Sequence, residues 1–326
     1  MILKKLRSDW EGEDMVKIQA RSRMIKKSEE SKRVLEALDN YLENNLNKPM
    51  KWLVRFWKDQ QTVMLYSELR EIVTGEENPQ SLFDKWFSDY SLFLSKKMTA
   101  TWEEAFLAGW ESIQIVSDIV ESMNSEAWVR EWIINRTGNL ITNVCSDQVN
   151  AVRYLIAEAE SIGMSSAETA RYIRPTIGLT ERQAAANLKH YNSVKERLRA
   201  DHPRMKEESI EQKARTAASK YAERQQRYRA ETIARTEIAQ AYNAGADAFI
   251  REAMRHDLMP EMKKEWSTAL DGRVCKECQA LEGVQISMDD SFETQSGRRN
   301  VTVLLPPLHP RCKCAVKYVE ATYEIV

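Results

Sequence analysis

Four of the five cysteines and one of the four histidines of this 326-residue chain lie between positions 275 and 314. They are arranged as Cys275-Lys276-Glu277-Cys278 and, thirty residues on, His309-Pro310-Arg311-Cys312-Lys313-Cys314. Two residues between the first pair is zinc-knuckle spacing, which lets both sulfurs reach one ion from a tight turn. The second stretch offers three donor atoms, and residues 312 and 314 face the same side if the backbone is extended. Thiolate and imidazole suit Zn²⁺ in tetrahedral geometry. Four ligands fill such a site, so the expected set is Cys275 and Cys278 with two or more of His309, Cys312 and Cys314, four of the five ligating. His309 has the alternative of supporting a ligand from outside. A site made mostly of sulfur leaves no open position, so the metal reads as structural and not catalytic. Disulfides formed after release from the cell, and reduced or redox-active thiols, are the competing readings of the same residues.

The metal reading depends on the compartment. The start, Met1-Ile2-Leu3-Lys4-Lys5-Leu6-Arg7-Ser8-Asp9, lacks the apolar stretch of a signal peptide, and no window approaches eighteen apolar residues. A cytoplasmic chain that meets no membrane is expected, and there thiols stay reduced. Cys145, alone, reads as a small buried hydrophobe, and His190, His202 and His256 as surface residues. No phosphate-binding loop, dinucleotide fingerprint, His-x-Glu deaminase pattern or Gly-x-Ser-x-Gly elbow is present. Paired carboxylates such as Glu207-Glu208 and Asp289-Asp290 have no nucleophile or base beside them and read as solvated.

The elements that must position these ligands follow from composition and periodicity. Ten Gly and eight Pro are few for this length, while 43% hydrophobic and 30% charged residues with a mean hydropathy of -0.56 describe a water-soluble folding chain. Long helices are expected. Breaks fall near Asn47-Lys48-Pro49, residues 74–79, 162–166 and 175–178, and Asp201-His202-Pro203. Between them the apolar period is near 3.6, as in Leu82, Trp86, Tyr90, Phe93 and Leu94, or Ile113, Val116, Ile119, Val120 and Met123. Ser165-Ser166-Ala167-Glu168 and Thr180-Glu181-Arg182-Gln183 fit capping boxes. Eight of the nine Trp precede residue 133 and read as filling of a helical core. After Met259-Pro260 come short β-type runs, 265–270, 301–305 and 314–319. The expected fold is therefore mainly α: an elongated helical N-terminal region, then a small α+β C-terminal module stapled by the Cys/His metal site. The expected divisions are 1–130 (Trp-rich, helical), 131–258 (helical, including a helix over 227–254) and 259–326. The last is too small to bury much apolar area alone, so it needs a staple or a docking surface.

With 48 basic and 49 acidic residues, the net charge of -1 offers no overall attraction to nucleic acid or anionic membrane. Local excess exists. Residues 195–235 hold twelve Lys or Arg against seven Asp or Glu, which reads as a solvated helix face. Arg298, Arg299, Arg311, Lys313 and Lys317 share a stretch with no acidic residue and are candidate nucleic-acid contacts. The 227–254 helix carries Ala230, Ala234, Ala241, Ala244 and Ala248 on one face, with Glu237 on the same stripe. A buried carboxylate there needs a partner, from Arg235 or a neighbouring helix.

Read in order, these motifs resemble the phage Mu F-like minor head (head-morphogenesis) family. The residues that carry the resemblance are Ile233-Ala234-Arg235-Thr236-Glu237, Asn243-Ala244-Gly245, Trp266, Asp271-Gly272-Arg273-Val274-Cys275-Lys276-Glu277-Cys278, Leu281-Glu282-Gly283 and Pro306-Pro307-Leu308-His309-Pro310-Arg311-Cys312-Lys313-Cys314. Upstream, Ile177-Gly178-Leu179-Thr180-Glu181-Arg182-Gln183 and Tyr191 look like that family's helical lead-in. The resemblance runs over about residues 130 to 318. It implies a minor capsid protein of few copies that associates with portal and capsid or scaffold proteins and with packaged DNA, located in the virion head or portal region after assembly in the host cytoplasm. The alternatives are a nucleic-acid-binding zinc module and a transferase-type enzyme centred on Arg235-Thr236-Glu237. That triplet lies inside an expected helix with no cofactor motif nearby, so the chain reads as a non-enzyme.

Overall fold

The computed structural model describes residues 28–64, 66–75, 78–113, 123–269 and 274–321. Trp10, the middle of the 113–123 stripe, and Asp271-Gly272-Arg273 lie outside the described residues. The helices are α1 (Glu29–Asn45), α2 (Asn47–Val63), α3 (Tyr66–Thr74), α4 (Pro79–Phe93), α5 (Thr99–Glu111), α6 (Glu126–Ser161), α7 (Ser166–Ile173), α8 (Glu181–Asp201) and α9 (Glu207–Arg255). A π-helical turn, Leu94–Met98, joins α4 to α5. Both capping boxes form, Ser165 with Glu168 at α7 and Thr180 with Gln183 at α8, so two donors at each helix start are satisfied locally. Four of the tryptophans fill the core as expected, Trp57, Trp86, Trp102 and Trp110, while Trp52, Trp128 and Trp132 are half-buried.

The 49-residue α9, roughly 74 Å at 1.5 Å per residue, is the spine. It begins twenty residues before the expected 227 because its first half is also amphipathic, burying Ile210, Ala214, Ala218 and Ala222. In its C-terminal third α5 comes into backbone contact. A Cβ on Gly245 would lie 1.9 Å from the Phe106 carbonyl oxygen, and one on Gly109 1.9 Å from that of Tyr242. Only glycine fits at either position. The loop 174–180 is held by buried side chains: Gln226 donates to the Ile177 carbonyl at 2.6 Å, Arg229 to that of Gly178 at 2.8 Å, and Gly178 N–H donates to Gln148 at 3.1 Å. Gly178 has φ +87°, and a Cβ there would strike the Trp57 ring at 2.5 Å. The Ile177-Gly178 signature thus records a turn whose backbone polar groups are satisfied inside the core.

The C-terminal lobe contains β1 (Met262–Ser267), α10 (Lys276–Leu281), β2 (Gln285–Ser287), β3 (Phe292–Ser296), β4 (Arg299–Val303) and β5 (Ala315–Glu320). One antiparallel sheet has the order β2-β1-β5, with Trp266 opposite Val316, and β3-β4 form a separate hairpin. β2 and β3 were not expected, being short and polar on one face. Lys264 is fully buried; its Nζ donates to the carbonyls of Asp290 at 2.7 Å and Leu304 at 3.1 Å, tying both ends of the hairpin to the sheet. Burial pushes its ammonium down to about 8. The lobe has its docking surface: Trp266, Phe292 and Leu281 share one apolar core with Phe106, Trp110 and Phe249 of α5 and α9.

Candidate metal centre

The two Cys-bearing stretches meet. Cys275 caps α10, its Sγ accepting the Cys278 N–H at 3.3 Å, so the helix start turns both sulfurs to one side. His309 Nε2 lies 3.1 Å from Cys275 Sγ and 3.3 Å from Cys278 Sγ, and Cys278 Sγ lies 3.7 Å from Cys312 Sγ. Sulfurs on one tetrahedral Zn²⁺ at about 2.3 Å stand about 3.8 Å apart, and sulfur and nitrogen about 3.6 Å. The sulfur pair fits that spacing, and the imidazole needs a small outward swing. Donor atoms of Cys275, Cys278 and His309 lie within 4.8 Å of one another, as do those of Cys278, Cys312 and Cys314. Cys278 belongs to both triads. The residues therefore fit a thiophilic ion in number, type and spacing.

Local structure positions each donor. His309 Nδ1 is 2.9 Å from the Pro310 carbonyl, which holds the proton on that nitrogen and turns Nε2 toward the sulfurs. Arg311 takes a left-handed conformation, φ 63°, and Cys312 N–H closes the turn on the His309 carbonyl at 3.1 Å. Cys312 and Cys314 precede β5 and are not part of a strand, yet both are buried beside Cys278. Hydrogen bonds from Cys278 and then Cys314 pull the Cys312 thiol far below its usual range. The same bond to Cys312, then Cys314 and burial, pushes Cys278 far above it. Thiols packed this closely cannot all ionise without a cation among them.

Arg235, Thr236 and Glu237 tie three parts of the chain to α9. Glu237 is buried and receives a bidentate pair from Arg136 of α6, Nε–Oε2 at 2.7 Å and Nη2 to Oε1. Its partner thus comes from a neighbouring helix and not from Arg235. Arg235 lies 3.7 Å from Asp39 of α1. Thr236 Oγ1 accepts the Arg311 N–H at 3.2 Å, and the Arg311 guanidinium pairs with Glu231 at 2.8 Å over the Tyr228 ring. The ligand turn is therefore clamped directly onto α9. Arg136, Asp39 and Glu231 were not singled out in the sequence, where nothing distinguishes them from other surface-type charges.

The five basic candidates do not form one open strip. Lys317 is buried and paired with Glu265 at 2.7 Å; Arg311 is committed to Glu231; Lys313 is 3.5 Å from Asp39. Arg298 and Arg299 are exposed at the β3-β4 turn. Cys145 is buried, its thiol pushed up to about 12 by burial. His256 lies 3.5 Å from Glu252 and His190 packs its ring on Tyr221.

Residues 176–317 match the family described as Phage Mu protein F like protein. The chain carries a Mu F-like segment. The match takes in the Ile177-Gly178 turn, the Arg235-Thr236-Glu237 hub, Gly245 and all five metal-ligand candidates, and it supports a phage head-related protein. It begins later than the 130 expected from the motifs, leaving all of α6 and α7 outside. No curated protein and no solved structure matches the chain. No helix among the described residues is long and apolar enough to cross a membrane.

Proposed function

We propose that this chain is a phage minor head protein acting in head morphogenesis, associating with portal and capsid or scaffold proteins and residing in the virion head or portal region, and that its Mu F-like lobe is fixed by a structural Zn²⁺. The observation that carries the reading is the convergence of Cys275, Cys278, His309, Cys312 and Cys314 within the matched segment. Zinc would supply positive charge to the packed sulfurs and cross-link α10 to the turn before β5. The chain's own residues do the rest: Thr236 and Glu231 hold Arg311, Glu237 holds Arg136, and the lobe's orientation on α9 and α6 follows. A part fixed in this way presents a constant surface to partners while a shell assembles around it.

Isolated particles test the assembly claim, since the protein should co-sediment with portal-bearing procapsids. Elemental analysis of purified protein should give about one zinc per chain, as four ligands allow. A protein absent from particles would reject the head assignment, and metal-free protein with an intact lobe would reject the zinc. The DNA reading draws support only from Arg298 and Arg299; absence of binding at low salt would remove it. The division at 130 and 258 belongs to this proposal as well, with the 259–326 lobe as the metal-fixed part.

A further inference from the structure

Two donors beside the sulfur cluster, the Trp266 indole Nε1 and the Thr268 hydroxyl, belong to fully buried side chains, and neither has an oxygen or nitrogen partner among the described residues. A buried donor left unpaired is costly, so two in one place call for an acceptor. β1 sets where they face. Trp266 N–H donates to the Val284 carbonyl at 3.0 Å and Thr268 N–H to Glu282 Oε2 at 2.6 Å, both on the β2 side. The extended backbone therefore runs on past Ser267, and side chains 266 and 268 share a face. Trp266 lies opposite Val316 and Ser267 opposite Ala315. One residue further, the same register puts Thr268 across from Cys314, with Trp266 on the diagonal. Side chains directly across stand about 4.5–5.5 Å apart at Cβ, and the diagonal is within reach of an aromatic ring. Cys314 is buried in the same apolar cluster as Trp266, and the indole N–H is aimed at its sulfur.

We infer that Trp266 and Thr268 are positioning residues of the metal centre: their N–H and O–H donate to the Cys314 sulfur and hold it, as a thiolate, among the ion's ligands. The inference rests on the metal reading above and adds to it which sulfur is fixed. A neutral thiol accepts hydrogen bonds weakly and a charged group accepts them strongly, so the two donors gain most once the proton has left and an ion has taken its place. Cys275 is placed differently, half-buried and with a backbone N–H, that of Cys278, on its Sγ. With five donors for four places, the spare one is therefore not Cys314. β1 is joined to the centre in this way. α10 and the turn before β5 supply ligands, and β1 supplies the support that orients one of them.

The test uses the full chain with cobalt(II) as probe ion, whose sulfur-to-metal charge-transfer absorption counts and senses its thiolate ligands. Thr268→Val keeps the side-chain shape and removes the hydroxyl; 3-benzothienylalanine incorporated at position 266 keeps the ring size and removes the N–H. Each should bind cobalt about tenfold more weakly, the scale for losing a group that orients a ligand, and move the band to lower energy. Thr268→Ser, which keeps the hydroxyl, should leave the band where the parent has it. Cys314→Ser should lose the share of the band that belongs to one thiolate. In reduced, metal-free protein the Trp266 indole N–H resonance, observed with isotope-labelled tryptophan, should move on Cys314→Ala and stay in place on Cys275→Ala. A band unmoved in both donor variants, full intensity in Cys314→Ser, or an indole resonance indifferent to Cys314 would each overturn the inference with the metal reading intact. A parent that takes up no cobalt would overturn the metal reading and the ligand role with it, and the indole resonance then decides whether the contact to Cys314 exists.

Discussion

Gly245→Ala sets two effects of opposite sign against each other. In an unpacked helix the change from glycine to alanine stabilises by about 1 kcal/mol. Here the new Cβ would stand 1.9 Å from the Phe106 carbonyl oxygen and 2.7 Å from its carbon. Ordinary contact needs more than about 3.2 Å in an interior packed like an organic crystal, so α5 and α9 must part by about 1.3 Å. That separation strains the shared core, in which Trp110 packs edge-on against Phe249 at 5.3 Å. Overpacking of this kind costs about 1–3 kcal/mol and occasionally more. With backbone as the obstacle the upper end applies, giving a net loss of about 2 kcal/mol and a Tm lower by about 3 °C for a chain of this size. Gly109→Ala meets Tyr242 backbone at the same distance and should cost as much. The double variant should cost less than the sum, because one separation of the helices relieves both clashes. Calorimetry and urea unfolding of the three variants decide the matter. A Gly245→Ala protein as stable as the parent or more so, as helix propensity alone requires, would refute the close-packed crossing.

Cys278→Ser should reduce bound zinc more than Cys275→Ser or Cys314→Ser, because Cys278 belongs to both donor triads; elemental analysis after dialysis ranks them, and equal losses would count against a shared central sulfur. Glu237→Gln leaves the Arg136 guanidinium half-paired in a buried place and should cost about 3 kcal/mol in urea unfolding. Lys264 is held near 8 against an ordinary 10.5, so the unfolded chain binds more protons between those values and stability should rise with pH from about 8 to 10.5. The rise is on the order of 3 kcal/mol at most. Lys264→Met should flatten it, and an unchanged pH profile in that variant would show that another group is responsible.

The sequence by itself missed the breaks between α2 and α3 and between α5 and α6, but it determined the predominance of helix, five of its breaks, both capping boxes and which Cys and His residues cluster. These are set by local chemistry: apolar period, cap residues and the scarcity of thiols all act within a few residues of one another. It could not name the partner of Glu237, since Arg136 lies 101 positions away and resembles any surface arginine. The basic stretch from Arg298 to Lys317 had the same limit; Glu265, Glu231 and Asp39 neutralise three of its members from other elements. Gly245 was visible as a motif residue, but its reason, a helix backbone lying across it, exists only once α5 is packed. Tertiary packing alone decides which charges are spent internally and which polar atoms are left wanting a partner, because both depend on contacts between residues far apart in the chain.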